Sequence, residues 1–220
     1  MKKYRMLDLF SGLGGASRAM QEDEKWEVIT VDINPKFNPT ICADILELTP
    51  KDFKKYGHFD LIWASPPCTY FSIARQPPSW RIENGLPPLP EHKECAHAVY
   101  LIFHTLYIIN ALEPDWWFLE NPKGFLRSIL GKPAGTVDYC QYGHEYKKPT
   151  DLWGKHPPSF IYKRCKGNGC HHIPTPNSWP TLRNPAKRAE VPYDLSKAIK
   201  ESVENPIGIR QVKLQLRERK

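Results

Sequence analysis

Short apolar runs, bounded by glycine, proline and charged residues, recur through the first two-thirds of the chain. "RMLDLF" (5–10), "WEVITVDI" (26–33), "FDLIWAS" (59–65) and "DWWFLEN" (115–121) have the length and the β-branched and aromatic content of buried strands. A glycine turn and a helical stretch, "ASRAMQEDE", separate the first two. A longer apolar segment starts near Glu91 and runs to about Leu112, with Pro90 and Pro114 marking its ends, which predicts a helix. This β-α-β succession predicts an α/β fold with a mostly parallel sheet and helices on both faces. After about Gly154 the pattern dissolves into proline, glycine and basic residues. It returns in "VPYDLSKAIKESVEN", where Leu195, Ala198, Ile199 and Val203 fall on one face of a last helix. The tail "GIRQVKLQLRERK" is basic and expected to fray.

Composition narrows the picture only a little. A chain of 220 residues with 40% hydrophobic content can bury one good core, and its 22 prolines predict long ordered loops. The net charge of +7 is compatible with a polyanionic partner. Six scattered cysteines are too few for a disulfide scaffold. Asp8 and the glycines after it interrupt any signal-like run at the start. "VYLIFHTLYIINAL" (99–112) is too short to span a bilayer and carries His104 and Asn110. The expectation is a soluble, cytoplasmic protein with no membrane contact; nothing in the pattern bears on its oligomeric state.

Candidate chemistry gathers at the strand ends. In "LDLFSGLGGAS" (7–17), Gly12, Gly14 and Gly15 let backbone approach a ligand and aim N–H groups at it, although the spacing is not G-x-G-x-x-G. Asp32, ending the second strand, is placed to accept hydrogen bonds from ribose hydroxyls, and Ile33 to lie on an adenine face. Asp44 and Ile45 make a second acid-plus-apolar pair suited to an adenine amino group. With Asp8, these aspartates predict an acidic pocket that favours a cationic nucleoside. The third strand ends in Pro66 and Pro67, which fix two φ angles ahead of Cys68. Cys68 is then either a small side chain tucked under a loop or a thiol presented at the ligand edge. "CKGNGCHH" offers Cys165, Cys170, His171 and His172, which read either as a glycine-turned loop or as zinc ligands with no common finger spacing.

"DLFSGLGG", "VDIN", "ASPPCTYFS" and "FLENP", in that order, resemble the cytosine-C5 DNA methyltransferase family over roughly residues 5 to 150. The resemblance implies a Rossmann-like S-adenosylmethionine-binding fold. Phe10, Ser11, Gly12, Gly14, Gly15 and Pro66 would line the cofactor together with Asp8, Asp32, Ile33, Asp44 and Ile45. Cys68 would be the nucleophile that adds to cytosine C6, and Glu120 would hydrogen-bond the base N3. Asn121 would orient the loop or the base. An ordinary thiol is mostly protonated near neutrality, so Cys68 needs a base or a lowered pKa, and Glu120 must keep or share a proton. The chain departs from the family in having Pro122 where valine is usual. At the place after the Glu-Asn pair where the family carries a Gln-x-Arg-x-Arg element, "YCQYGHEYKKPTDLWG" lies instead, with Lys147 and Lys148 to contact phosphate or base. The organisation expected is a catalytic domain over 1–153, a reduced target-recognition insertion over 154–190, and a packing helix with basic tail over 191–220. The compact build is similar to stand-alone enzymes of bacteria and their viruses, including those of restriction-modification. Two other classes remain open. "SPPC" is similar to the signature of amino-group methyltransferases acting on cytosine N4 or adenine N6, and the fold also suits a catalytically silent DNA-binding protein.

Overall fold

A computed structural model describes residues 2–72, 80–81, 83, 88–167, 170–172 and 189–207. The basic tail beyond Ile207 and Gly169 of the Cys-His stretch lie outside the described residues. The apolar runs do form strands: β1 (Tyr4–Leu9), β2 (Trp26–Asp32), β4 (Leu61–Ala64) and β7 (Trp116–Pro122), with the short β3 (Ile41–Cys42) at one edge. Two further strands, β8 (Gly135–Asp138) and β9 (Pro149–Lys155), complete a seven-stranded sheet of order β3-β2-β1-β4-β7-β9-β8. The five strands from β3 to β7 are parallel, and β9 runs antiparallel to both β7 and β8. A separate two-stranded ribbon pairs β5 (Trp80–Arg81) with β6 (Leu89–Pro90).

Successive side chains of a strand face opposite ways, and the sheet is covered on both sides. Met6, Leu61, Trp63 and Phe118 pack with Ala19 and Met20 of α1 (Arg18–Gln21) and with Leu195, Ile199 and Val203 of the last helix, α5 (Tyr193–Glu204). On the other face Leu7, Leu9, Ile62 and Ala64 meet Phe53 of α2 (Pro50–Phe53) and Ile108 and Ile109 of α3 (Lys93–Leu112). By length and apolarity alone α3 could cross a membrane. Here its Ile102, Ile108 and Ile109 are buried while Tyr100, Phe103 and Tyr107 are exposed. The helix expected over "ASRAMQEDE" is shorter than its pattern suggests. Ala16, Ala19 and Met20 bury into the core, and the acidic run after them turns back through Asp23 N–H to Met20 O and Trp26 N–H to Asp23 O. A fourth short helix, α4 (Arg127–Leu130), follows β7.

The C-terminal helix clamps the glycine turn. Ser196 Oγ donates to Ala16 O (2.7 Å) and accepts from the Ala19 N–H (3.1 Å). Gly15 is the contact point: a Cβ there would stand 2.6 Å from Val191 O. Gly15→Ala is therefore expected to lower unfolding free energy by about 1–3 kcal/mol through overpacking, read from urea midpoints at constant m.

Candidate active site

Parallel register sets the site. Leu9 pairs with Ala64 and Ala64 with Leu119, so the segments after β1, β4 and β7 leave the same edge of the sheet side by side. That edge, beyond the carboxyl ends of parallel strands, is where open α/β sheets hold ligands. The first segment is the glycine turn, with Phe10 (φ 62°), Gly12 (φ 51°) and Gly14 (φ 76°) all left-handed. A phenylalanine in that region is strained, a condition that persists where the surroundings enforce it. The enforcement is visible. Ser11 N–H bonds Val31 O, and Gly12 N–H donates to Asp32 Oδ2 at 2.8 Å, while Asp32 Oδ1 takes the Asn34 N–H. Asp32 thus organises the turn from the neighbouring strand, and beside it Ile33 is 65% exposed.

Asp8 lies beneath this turn, 1% exposed, accepting from Ser17 Oγ at 2.6 Å. Its Oδ1 is buried with no partner among the described residues, and burial pushes the carboxyl up to about 7. A buried, half-satisfied carboxyl suits a cationic ligand group arriving above it. Asp44 caps a single 3-10 turn, accepting from Leu46 N–H at 2.9 Å. Ile45 is 4% exposed and packed among Leu7, Phe53 and Phe59, because the turn that Asp44 caps points it into the core.

Asp8 also gives a pH signature. Its folded pKa lies above the unfolded carboxylate value, so the native state keeps a proton that the unfolded chain gives up. Stability therefore falls as pH rises from about 4 to about 7, by at most about 1.4 kcal/mol per pH unit for this group. Asp8→Asn is expected to remove that contribution, flattening the melting temperature across the same window in a thermal scan.

The second segment carries Cys68. Pro66 is buried and Pro67 exposed, and Cys68 is half-buried rather than sealed in the interior. Its carbonyl accepts the N–H groups of Phe71 (3.0 Å) and Ser72 (2.9 Å), closing the turn. All six cysteines are thiols. The third segment is tied to the second: Asn121 Nδ2 donates to Pro66 O at 3.1 Å, from a fully buried position at the end of β7. Pro122 stays in the strand beside Thr150 of β9 and leaves both Glu120 and Asn121 in place.

Glu120 is 4% exposed, and burial raises its pKa against the opposing pull of the Lys148 charge and of hydrogen bonds with Tyr139 and Ser65. Tyr139 Oη donates to Glu120 Oε1 at 3.0 Å. Burial first, then the Glu120 carboxyl and more weakly Cys68, push the Tyr139 phenol well above its usual value, so it remains a donor. Lys148 Nζ sits 4.5 Å over the Tyr139 ring. Lys148 is the lysine whose charge reaches Glu120; Lys147 is half-buried beside it on the same loop. Cys68, Ser65, Glu120, Asn121, Tyr139 and Lys148 thus converge.

Ser65 and Tyr139 were not legible in the sequence. Ser65 has a weak signal, a hydroxyl directly before the proline pair, whereas Tyr139 has none, because β8 and its following turn lack strand-like periodicity. Behind them Arg127 binds Asp151 through two 2.6 Å bonds and Thr136 Oγ1 at 3.0 Å, which braces β8 and β9 against α4.

A Rossmann-like sheet with a glycine turn after its first strand and a Pro-Cys turn after its fourth defines a methyltransferase fold equipped with a thiol. The chain belongs to the C-5 cytosine-specific DNA methylase family, whose model matches residues 4–133. It is 34% identical over 167 residues to a probable DNA (cytosine-5)-methyltransferase of Frog virus 3 (isolate Goorha), covering 74% of this chain and 75% of that one. Identity is 27% over 143 residues to the type II methyltransferase M.HpaII of Haemophilus parainfluenzae, covering 62% and 36%. It is 28% over 170 residues to the tRNA (cytosine(38)-C(5))-methyltransferase of Homo sapiens, covering 69% and 39%. The chain thus spans well under half the length of the last two.

Proposed function

We propose that the chain methylates C5 of cytosine in DNA, drawing the methyl group from S-adenosylmethionine through a covalent bond between Cys68 and the base. The observation that carries this reading is the shared sheet edge, with the glycine turn, the Cys68 turn and Glu120 leaving adjacent parallel strands. Bound S-adenosylmethionine supplies an electrophilic methyl group on a positively charged sulfur. The buried Asp8 carboxyl and the Asp32-braced glycine turn fit that cationic nucleoside, with Asp44 and Ile33 toward the base end.

Cytosine C5 is too weak a nucleophile by itself. The Cys68 thiolate adds to C6, and Glu120 shares its proton with N3, so the charge entering the ring is neutralised where it accumulates. C5, now enamine-like, is nucleophilic toward the methyl group that S-adenosylmethionine, held by the Asp32-braced glycine turn above Asp8, would supply. Loss of the C5 proton to solvent water then drives out the Cys68 thiolate as N3 gives its shared proton back to Glu120, which regenerates the aromatic ring, the nucleophile and the acid. Tyr139 and Lys148 restrain Glu120, and Asn121 holds the Pro66 carbonyl so that the Cys68 turn keeps its place. A cytosine inside a duplex is out of reach, so the base is flipped out or presented single-stranded. Residues 154–190 are the proposed reduced recognition element. Their start is anchored to the catalytic sheet by Phe160 in the core and by Arg164 on Asp138 at 2.7 Å. The net positive charge suits a DNA partner, and the place of action is the cytoplasm of a bacterial or virus-infected cell.

The test is mass spectrometry of nucleosides from DNA incubated with labelled S-adenosylmethionine, with an RNA arm in parallel. Labelled 5-methylcytosine in DNA is the expected product. Label on N4 or N6 assigns the amino-group class, label confined to RNA moves the substrate, and no label at all favours the silent fold.

A further inference from the structure

Outside the methylation site, the described residues hold one cluster with the donor chemistry of a soft metal. The Sγ atoms of Cys140, Cys165 and Cys170 and a ring nitrogen of His172 all lie within 4.8 Å of one another. The elements that bring them together are far apart in the chain. Cys140 is buried in the 3-10 turn Tyr139–Tyr142 that follows β8, and the other three come from the loop after Arg164. Cys165 Sγ stands 3.7 Å from His172 Nδ1. Around a tetrahedral zinc ion with bonds of about 2.3 Å to sulfur and about 2.0 Å to nitrogen, neighbouring donors sit about 3.5–3.8 Å apart.

The surroundings are those of thiolate ligands. Gly167 N–H donates to Cys165 Sγ at 3.4 Å, and Gln141 Nε2 reaches Cys170 Sγ (3.4 Å) and Cys140 Sγ (3.7 Å). Such N–H donors stabilise metal-bound sulfur and fix its direction. His171, counted among the candidate ligands from sequence, is turned away, its Nε2 3.1 Å from His144 O. Adjacent side chains on an extended segment diverge, so one histidine enters the cluster and the other leaves it.

We propose that Cys140, Cys165, Cys170 and His172 form a structural zinc site. Three sulfurs and one imidazole select a soft divalent ion, and four protein donors complete a tetrahedron with no position left for substrate. Binding displaces the remaining thiol protons to solvent and ties Cys165, Cys170 and His172 to the turn that carries Tyr139. The metal thus fastens the start of the proposed recognition element to the residue that holds Glu120. The site itself stands whichever nucleic acid is methylated.

The experiment measures metal in full-length protein made without a histidine tag in zinc-supplemented medium. About one zinc per chain is expected, falling below about a tenth in Cys165→Ser and Cys170→Ser and unchanged in His171→Ala. Chelation should expose three additional thiols to a colorimetric thiol reagent. Wild-type protein that carries no zinc overturns the proposal, as does a zinc content indifferent to the cysteine variants or a disulfide joining two of these cysteines. Should the serine variants fail to fold, cobalt-exchanged wild type decides. Tetrahedral ligand-field bands with thiolate charge transfer support the site, and an octahedral spectrum refutes it.

Discussion

Cys68→Ala is expected to abolish methyl transfer, lowering kcat by at least about 10⁴-fold, while leaving S-adenosylmethionine binding within about threefold of wild type. The size follows from the chemistry: without addition to C6 there is no enamine, and nothing else at the site converts C5 into a nucleophile. Cofactor binding survives because the glycine turn is braced by Asp32 and by Ser196 of α5. A second readout separates a lost nucleophile from a collapsed loop. DNA containing 5-fluorocytosine cannot release its C5 substituent as a proton, so wild-type enzyme should become covalently attached and survive denaturing electrophoresis. Cys68→Ala should give no such band yet still bind the DNA. Residual turnover in the alanine variant, or a covalent band from it, would remove Cys68 from the mechanism.

The sequence carried the parallel half of this sheet because buried parallel strands are continuous apolar runs, and "DLIWA" or "WWFL" can hardly be anything else. β8 and β9 escaped for the opposite reason. "GTVD" and "PTDLWGK" carry Thr136, Asp138, Thr150 and Asp151, polar groups that are buried in the structure. Their burial is tolerated through Arg127, the Arg164–Asp138 pair and hydrogen bonds from distant loops, none of which leaves a periodic trace. The site divided the same way. Gly12, Asp32, Cys68 and Glu120 are each announced by a local device, a turn, a strand end or a proline pair. Tyr139 and Ser65 reach Glu120 only through tertiary proximity, and the inward direction of Ile45 is set by the turn that Asp44 caps. In the Cys-His cluster Cys140 leaves no sequence signal, because it lies 25 positions before Cys165 and only folding makes them neighbours.

Glu120→Gln is expected to slow single-turnover methylation by about 10²–10⁴-fold, the usual range for removing a positioned proton donor. Glutamine keeps the size of the side chain and one hydrogen-bond donor, so substrate binding should change far less than the chemical step. The pH profile distinguishes this from a packing defect. Burial raises the Glu120 carboxyl, and the form that serves cytosine N3 is the protonated one, so the rate should decline as pH rises through that raised value. Glu120→Gln should erase this alkaline limb. Lys148→Met should move it to higher pH, because the Lys148 charge pulls the carboxyl pKa down and its removal leaves burial opposed only by the Tyr139 and Ser65 hydrogen bonds. Tyr139→Phe should shift it the same way by deleting the 3.0 Å hydrogen bond. A limb that stays in place in all three variants would show that some other group titrates, and Glu120 would then be a buried anchor for the end of β7 rather than the partner of N3.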